Sequence, residues 1–507
     1  MTPSNYLFDL IKSMSKGEKM FFKKFSRLHV IGKGNDYLLL FDAIEKQKQY
    51  DEKKLIEQLK NHNFIRHFAV MKNYLYSRLM DALEIYYRNM SIHAKVRRGI
   101  HRAELLQKKG LYEQSSKALK KIKQTAGSAE LFPALMEIQT LWEPRIYVEE
   151  YDLSKLEGIH NDITRYSLLL RDIAINHQTG FKVVNLYYKF QQSRDKKHLK
   201  EAEKFITNPY FKEASKTKTF TGRNSACEAK FFYYYAKGNL NTACKHAETA
   251  MKLYESNPEQ IKNKPKGYIT WLNNLFAINM EQKKYIQANL NLEKLNAMDY
   301  PIKTFSERAR FFYLTSSCTL HYLCCTGKTS ELQKKLPAIL LDMKEYNNEL
   351  NDAEKIELQN NIVISYYCMG NLKKCISGLN ILRNEFDLSV LPEVQDFVSF
   401  FYIIVHYDAG NTEMLPHLIL SYHRYLDKKK ERGKAEIMIL NLLRIISKID
   451  SEKKLKDELP KFEYQIKRLQ QNMLNRYAFK FFDLLSWLES KIENKPFAMV
   501  VRERAGK

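Results

Sequence analysis

Apolar and polar residues follow one another along this chain with the period of the α-helix. Apolar positions recur at spacings of three and four over most of the 507 residues, which places them on one face of a helix. Five glycines interrupt the pattern, each between two apolar helical stretches: Gly110, Gly238, Gly327, Gly370 and Gly410. Because glycine readily adopts the left-handed conformation that ends a helix, the pattern predicts pairs of helices joined by glycine turns.

The residues after each turn follow a common rule of side-chain size. A large residue stands two positions after the glycine, a small one five positions after it, and a further apolar one nine positions after it. The clearest units are Tyr112, Ser115 and Leu119; Leu240, Ala243 and Ala247; Tyr285, Ala288 and Leu292; Leu372, Cys375 and Leu379. In the third unit Lys283 takes the place of glycine. Because a small residue lets the preceding helix approach closely, the rule predicts tightly packed hairpins.

The spacing between turns is nearly constant. Weaker turns near Glu150, Asp195 and Lys453 fill the gaps, and successive turns are then 40 to 45 residues apart. The Gly, aromatic, Ala pattern resembles the second half of a tetratricopeptide repeat, in which Pro closes the unit as Pro258 and Pro301 do here. That family has a period of ~34 residues and a Trp and Leu-Gly motif that this chain lacks, so longer helices are expected. The resemblance implies an all-α fold, a right-handed superhelical solenoid of helix–turn–helix hairpins, and no particular ligand.

Three regions are expected along the chain. Residues 1–95 lack the rule and are predicted to form an N-terminal helical head. Residues 96–473 hold the tetratricopeptide-like hairpin repeats. Residues 474–507 are predicted to form a C-terminal capping helix, running to Ile492, followed by a frayed tail.

Helix starts can be predicted at several polar residues. Ser15 and Glu18 have the spacing of a capping box, and Asn35 and Asp51 are expected N-caps. Pro416 lies where the second helix of one unit should already be running. We therefore expect that helix to begin late, with the proline in its first turn.

Composition agrees with a helical protein and bears on its surroundings. The 17 glycines and 12 prolines are few for this length, whereas folds of strands and turns need many. The most apolar window, 397–405, is much shorter than the ~20 residues that cross a bilayer, and the N-terminus lacks the pattern of a signal peptide. Seven cysteines without framework spacing favour reduced, buried thiols. The sequence predicts a cytoplasmic protein.

Few residues have the spacing of a chemical site. Cys318, His321 and Cys324 lie three apart on one predicted helix and are of the types that bind zinc. Packing is the favoured interpretation, because no second ligand pair follows and these residues precede Gly327, where small buried side chains are expected. No Gly-rich phosphate loop, GxSxG or HExxH motif is found. The sequence therefore favours a protein that is not an enzyme and has no metal or cofactor.

Positive charge is the chain's clearest signal of a partner. The net charge is 83 − 58 = +25, and residues 1–103 hold 20 Lys and Arg against 10 Asp and Glu. Lys95, Arg98 and Arg102 share one helix face, and Lys72 and Arg78 lie on the last helix of the head. All five are candidate contacts to an anionic partner. A solvated basic face that binds nothing is the alternative.

Two functions follow from these features. The preferred one is a non-enzymatic scaffold or adaptor that binds a peptide or protein segment on the concave surface of the solenoid. The aromatic run Phe231–Tyr235 could line such a groove, although core packing is the simpler interpretation. The alternative is a nucleic-acid-binding regulator that uses the basic head. That arrangement resembles the architecture of Gram-positive quorum regulators, in which a DNA-binding head precedes a repeat array.

Overall fold

The computed structural model of the chain describes residues 5–28, 36–88, 91–149, 154–193, 195–263, 265–298, 304–429, 433–449, 452–470 and 479–506. The protein is all-α: 85% of it is helical, and the described residues contain no strand. The chain forms two compact units, residues 1–170 and 171–507. The boundary predicted after residue 95 lies inside the first unit and stays a prediction.

The first unit begins with five helices that form the head. These are α1 (Tyr6–Ser13), α2 (Lys16–Leu28), α3 (Asp36–Lys46), α4 (Glu52–Gln58) and α5 (Phe68–Tyr87). A hairpin follows, made of α6 (Ile92–Lys108) and α7 (Tyr112–Ser128). After it come α8 (Phe132–Glu137), a π-helical turn (Ile138–Trp142) and α9 (Glu143–Glu149). The boundary between the units falls within α10 (Ser154–Ser193).

The head has its own apolar core, and two of its helices begin at the residues that the sequence predicts. Phe22 on α2 packs against Phe41 on α3, with ring centroids 4.9 Å apart. The capping box is confirmed, since Ser15 N–H donates to Glu18 and Glu18 N–H to the Ser15 hydroxyl. The N-cap at Asp51 is confirmed by a 3.0 Å hydrogen bond from Lys54 N–H. The N-cap expected at Asn35 lies outside the described residues.

The second unit is a succession of helices in which consecutive members pack on one another. It contains α11 (Lys197–Thr207), α12 (Pro209–Ala214), α13 (Phe220–Ala236), α14 (Leu240–Glu255), α15 (Pro258–Asn263), α16 (Pro265–Glu281), α17 (Tyr285–Asn296), α18 (Phe305–Cys325), α19 (Thr329–Tyr346), α20 (Asp352–Cys368), α21 (Leu372–Glu385), α22 (Pro392–Asp408), α23 (Leu415–Asp427), α24 (Lys434–Ile446), α25 (Glu452–Gln470), α26 (Leu484–Glu493) and α27 (Phe497–Ala505). One apolar core extends from Phe220 to Leu488. Pro416 lies in the first turn of α23, as predicted.

Each turn predicted from the glycine pattern lies between two helices. All five glycines have positive φ, between +64° and +79°, and Lys283 has +57°. At Gly110, the glycine N–H donates to Gln107 O and Leu111 N–H donates to Leu106 O, both at 2.9 Å. This pair of bonds is the Schellman motif, and the other five turns repeat it. The motif satisfies the last carbonyls of one helix and reverses the chain into the next.

The small residues of the size rule lie at the contact between paired helices. Ser115, Ala243, Ala288 and Cys375 are each 0% exposed. Ser115 also donates a 3.0 Å hydrogen bond to Ala103 O across the first hairpin. Gly378 allows the same close approach, because a Cβ there would lie 2.7 Å from Val363.

The repeat pattern does not hold between residues 154 and 193. Turns near Glu150 and Asp195 should enclose the second helix of one hairpin and the first helix of the next, but the structure has the single 40-residue helix α10. Residues 154–193 contain no proline, and the two glycines within the helix, Gly158 and Gly180, are far apart and each tolerated. The turn expected at Glu150 itself lies outside the described residues. A further Schellman turn occurs at Glu130, which has φ +55° and had no glycine to indicate it.

The C-terminal segment differs from its prediction. A helix from 474 to 492 was expected, but residues 479–483 are not α-helical and α26 begins at Leu484, capped by Asp483. The predicted frayed tail is in fact helix α27, which packs against α18 and buries Val500 and Val501. This packing requires glycine at 327, since a Cβ there would lie 2.3 Å from Ala498 O.

Asp408 anchors this segment to the second unit. Its carboxylate accepts hydrogen bonds from Tyr367 (2.5 Å) and Trp487 Nε1 (3.0 Å) and pairs with Lys491 (2.6 Å). The Asp408 side chain is only 7% exposed. Three donors from α20 and α26 thus compensate one buried charge.

The small contact residues give a first prediction. We expect Ala243→Leu and Ala288→Leu each to lower the free energy of unfolding by ~1–3 kcal/mol, because the added atoms overpack the helix contact. The exposed Lys373→Ala should change it by no more than about 0.5 kcal/mol. Urea denaturation followed by circular dichroism measures all three. A larger loss for Lys373→Ala than for both leucine variants would refute the packing argument.

The Asp408 contacts give a second prediction. Asp408→Ala leaves a half-buried ammonium, a buried phenol and an indole N–H without their acceptor, so we expect the free energy of unfolding to fall by ~3 kcal/mol. Asp408→Asn keeps one acceptor oxygen and should therefore lower the free energy of unfolding by less. Faster amide hydrogen exchange in residues 484–505 should accompany the loss. Unchanged exchange there in Asp408→Ala would show that the carboxylate does not anchor the segment.

Candidate functional site

Two of the five basic candidates are engaged inside the head. Lys72 is 2.5 Å from Glu52, and its ammonium lies over the ring of Phe68. Arg78 is 3.1 Å from Asp81, and its guanidinium lies over the ring of Phe25. The two side chains are 17% and 21% exposed. Their charges are therefore compensated within the fold.

The other three basic candidates lie together on α6. Lys95 and Arg102 are exposed and Arg98 is half-buried. None of the three forms an ion pair with any residue in the described ranges. The buried face of α6, which includes Val96 and Ile100, points the other way. The structure therefore brings three of the five candidates to one solvent-facing side of a helix.

The cysteine and histidine residues of α18 are packing residues. Cys318 donates to Asn273 at 3.3 Å, and Cys324 lies 3.4 Å from the Ser365 hydroxyl. His321 packs against Phe276, and burial lowers the pKa of its imidazole to about 4. Within the described part of the chain, no group of His, Cys, Asp and Glu could hold a metal ion.

The aromatic run on α13 belongs to the core. Phe231 is 3% exposed and Tyr233 is 4% exposed. The Phe231 ring meets Trp271 edge-on at 5.6 Å, and Phe232 packs against Tyr187. These contacts favour the packing interpretation over a peptide groove.

The first unit contains a pocket of about 390 Å³. The end of α6, the start of α7 and the segment from the π-helical turn into α9 surround it. The lining residues are Glu104, Gln107, Lys108, Tyr112, Trp142, Pro144, Arg145 and Val148. The turn at Gly110 places α6 and Tyr112 on adjacent walls, because it reverses the chain within three residues.

Two interactions hold the π-helical turn against α6 and α7. Gln107 Nε2 donates a 3.1 Å hydrogen bond to Trp142 O. Lys123 on α7 pairs with Glu143 at 2.8 Å, and this carboxylate is only 9% exposed. The wide π turn, which often marks a functional site, thereby presents Trp142 to the pocket.

The pocket wall contains two buried polar atoms without a partner. Gln107 Oε1 and Trp142 Nε1 make no hydrogen bond within the described structure. Gln107 is 8% exposed, so its free acceptor is shielded from bulk water. A buried polar group that lacks a partner costs about 1–3 kcal/mol. Because both atoms are fully covered in this conformation, a ligand supplies the missing partner only after a wall side chain rotates. The two atoms offer one acceptor and one donor.

The charges at the pocket are unequal. Glu104 accepts from Lys108 at 2.7 Å and His101 at 3.2 Å. The hydrogen bonds from Lys108 and then His101 lower the pKa of Glu104, which keeps it ionised. Arg145 is exposed, lies 5.2 Å over the ring of Trp142, and has no ion-pair partner in the described ranges. A positive charge at the pocket therefore has no compensating carboxylate among the described residues.

The charge pattern of the sequence favoured a different face of α6 as the binding surface. Arg97, His101, Glu104 and Lys108 follow one another at spacings of four, three and four, so they form a row that includes two lining residues of the pocket. Lys95, Arg98 and Arg102 form the neighbouring row. The one sequence signal for the pocket was Trp142, one of three tryptophans, two positions before Pro144.

Exposed apolar side chains lie on the elements that form the pocket. Val148 is 54% exposed, Leu141 49%, Leu105 47% and Leu111 42%. Of these four, Val148 lines the pocket.

Comparison with known proteins yields no relative. The chain matches no protein-family model, no curated protein and no solved structure. Among the described residues, no helix is both long enough and apolar enough to cross a bilayer.

Proposed function

We propose that the protein is a non-enzymatic scaffold that binds a segment of a partner protein at the pocket of its first unit. The observation that carries the proposal is the unpartnered pair, Gln107 Oε1 and Trp142 Nε1, in a pocket whose wall includes the exposed apolar side chain of Val148. The sequence favoured a concave solenoid surface for this role. The pocket replaces that surface in the proposal because it offers both a shape and unsatisfied polar groups.

Size and chemistry support binding over catalysis. A volume of about 390 Å³ is at the small end of ligand pockets and suits one or two amino-acid side chains. A general acid needs a raised pKa, whereas the hydrogen bonds from Lys108 and His101 lower the pKa of Glu104, a carboxyl group in the pocket wall.

Nucleic-acid binding remains the second candidate, on one observation. Lys95, Arg98 and Arg102 present charge that no described carboxylate compensates. Lys72 and Arg78, by contrast, are held by Glu52 and Asp81. The candidate nucleic-acid surface therefore reduces to three cations on one helix.

A carboxylate placed at the pocket rim tests the scaffold proposal. Val148→Asp should remove at least one co-purifying protein from nuclease-treated native extracts, because it puts charge on the apolar contact. Leu341→Asp, at a 67% exposed site in the second unit, is the matched control and should retain that protein. Quantitative mass spectrometry of the three purifications gives the comparison. Identical protein sets from all three would contradict binding at the pocket.

Salt dependence tests the second candidate. If α6 contacts phosphates, replacing Lys95, Arg98 and Arg102 with alanine should flatten the dependence of log affinity on log salt by about two to three units, at ~0.9 per contact. We expect instead weak binding of DNA and RNA that is largely lost at physiological salt and does not depend on these residues. Electrophoretic shift titrations at two salt concentrations measure the slope. Tight binding at physiological salt that the triple variant loses would favour the nucleic-acid function.

A further inference from the structure

The chemistry of the pocket defines the partner segment more closely, and this step rests on the proposed function. We infer that the pocket recognises an extended acidic peptide segment. In this arrangement one apolar side chain enters the pocket, and a neighbouring carboxylate pairs with Arg145. A rotation of the half-buried Trp142 side chain exposes Gln107 Oε1 and Trp142 Nε1 to the backbone amide of the peptide.

The unpartnered wall atoms match a peptide backbone. Gln107 Oε1 needs a donor, and Trp142 Nε1–H needs an acceptor. A peptide residue supplies both, through its own N–H and C=O. Gln107 is fixed for this role, because its Nε2 already donates to Trp142 O.

The rest of the wall matches an apolar side chain. Trp142, Pro144 and Val148 line one part of the pocket, and Tyr112 lines another. A Phe, Leu, Ile or Met side chain fits within about 390 Å³ and leaves room for the backbone beside it. Burial of such a side chain supplies most of the binding energy at ~25 cal/mol per Å² of apolar area.

The positive charge of Arg145 favours an acidic residue next to the apolar residue of the peptide. Glu104 is occupied by Lys108 and His101, whereas Arg145 has no carboxylate partner in the described chain. Arg97, exposed on the same row of α6, likewise has no ion pair among the described residues. A guanidinium binds a carboxylate through two parallel hydrogen bonds, so an acidic residue next to the apolar one is favoured. A nucleic acid also carries negative charge, but its phosphates are acceptors only, so a base or a ribose hydroxyl would have to supply the donor that Gln107 Oε1 needs.

Tryptophan fluorescence can report on this pocket alone. The chain has three tryptophans. Trp271 is 3% exposed and donates to Asn224, and Trp487 is 0% exposed and donates to Asp408. Trp142 is therefore the one that a bound peptide reaches.

The experiment titrates the full chain with blocked pentapeptide pools. One pool has Phe, Leu, Ile or Met at the centre and Asp or Glu elsewhere. A second replaces the acids by Asn and Gln, a third has a central glycine, and a single-stranded oligonucleotide is the fourth probe. We expect the first pool to bind, the second to bind at least about tenfold more weakly, and the others not to change the fluorescence. Arg145→Gln should reduce the affinity for the first pool to the affinity for the second. The exposed Arg424→Gln should leave the affinity for the first pool unchanged.

The outcomes separate this inference from the proposed function. Equal affinity of the acidic and amide pools would overturn the role of Arg145. A response to the oligonucleotide alone, lost in Arg145→Gln, would replace the peptide by a nucleic acid. If no pool binds while Val148→Asp still loses a partner protein, the peptide chemistry is wrong and the scaffold stands. If no pool binds and Val148→Asp loses nothing, the scaffold proposal fails as well.

Discussion

The left-handed residue that ends the first helix of each pair is the constraint on which the structure depends. At Gly110 and its five counterparts, two hydrogen bonds close the helix and reverse the chain within three residues. This reversal brings the small residue five positions later, such as Ser115, against the preceding helix. In the first unit it also places Gln107 and Tyr112 on adjacent walls of one pocket. The proposed function therefore uses the same turn that builds the fold.

Features encoded within a few residues could be predicted from the sequence. The turn residues, the small contact residues, the capping box at Ser15 and the late start of α23 all depend on local spacing. Features that depend on distant contacts could not. Helix α27 is short and charged, and its order comes from packing against the turn at Gly327. The Asp408–Trp487 bond joins residues 79 apart, which no periodic pattern indicates.

The same distinction applies to the candidate site. The basic residues were visible in the sequence, but the compensation of Lys72 by Glu52 depends on the folding of the head. At the pocket, Gln107 bonds to the backbone of Trp142, which lies 35 residues further along the chain. Trp142 belongs to a π turn, and this turn changes which residues share a helix face. Helical periodicity therefore indicated the row of α6 that begins at Lys95 as a binding surface. It did not indicate the neighbouring row that begins at Arg97 and reaches the pocket. Unpartnered atoms can be found only once both sides of a contact are known.

Hydrogen–deuterium exchange of the full chain with a co-purified partner protein tests the central claim most directly. The account predicts slower exchange of the amides in residues 104–112 and 142–148 when the partner is bound, because a bound segment would cover both sides of the pocket. It predicts no change in α20 and α22, whose buried faces already contact Phe482 and Phe497 of the chain itself. Protection of α20 or α22 with no change at the pocket would contradict the account.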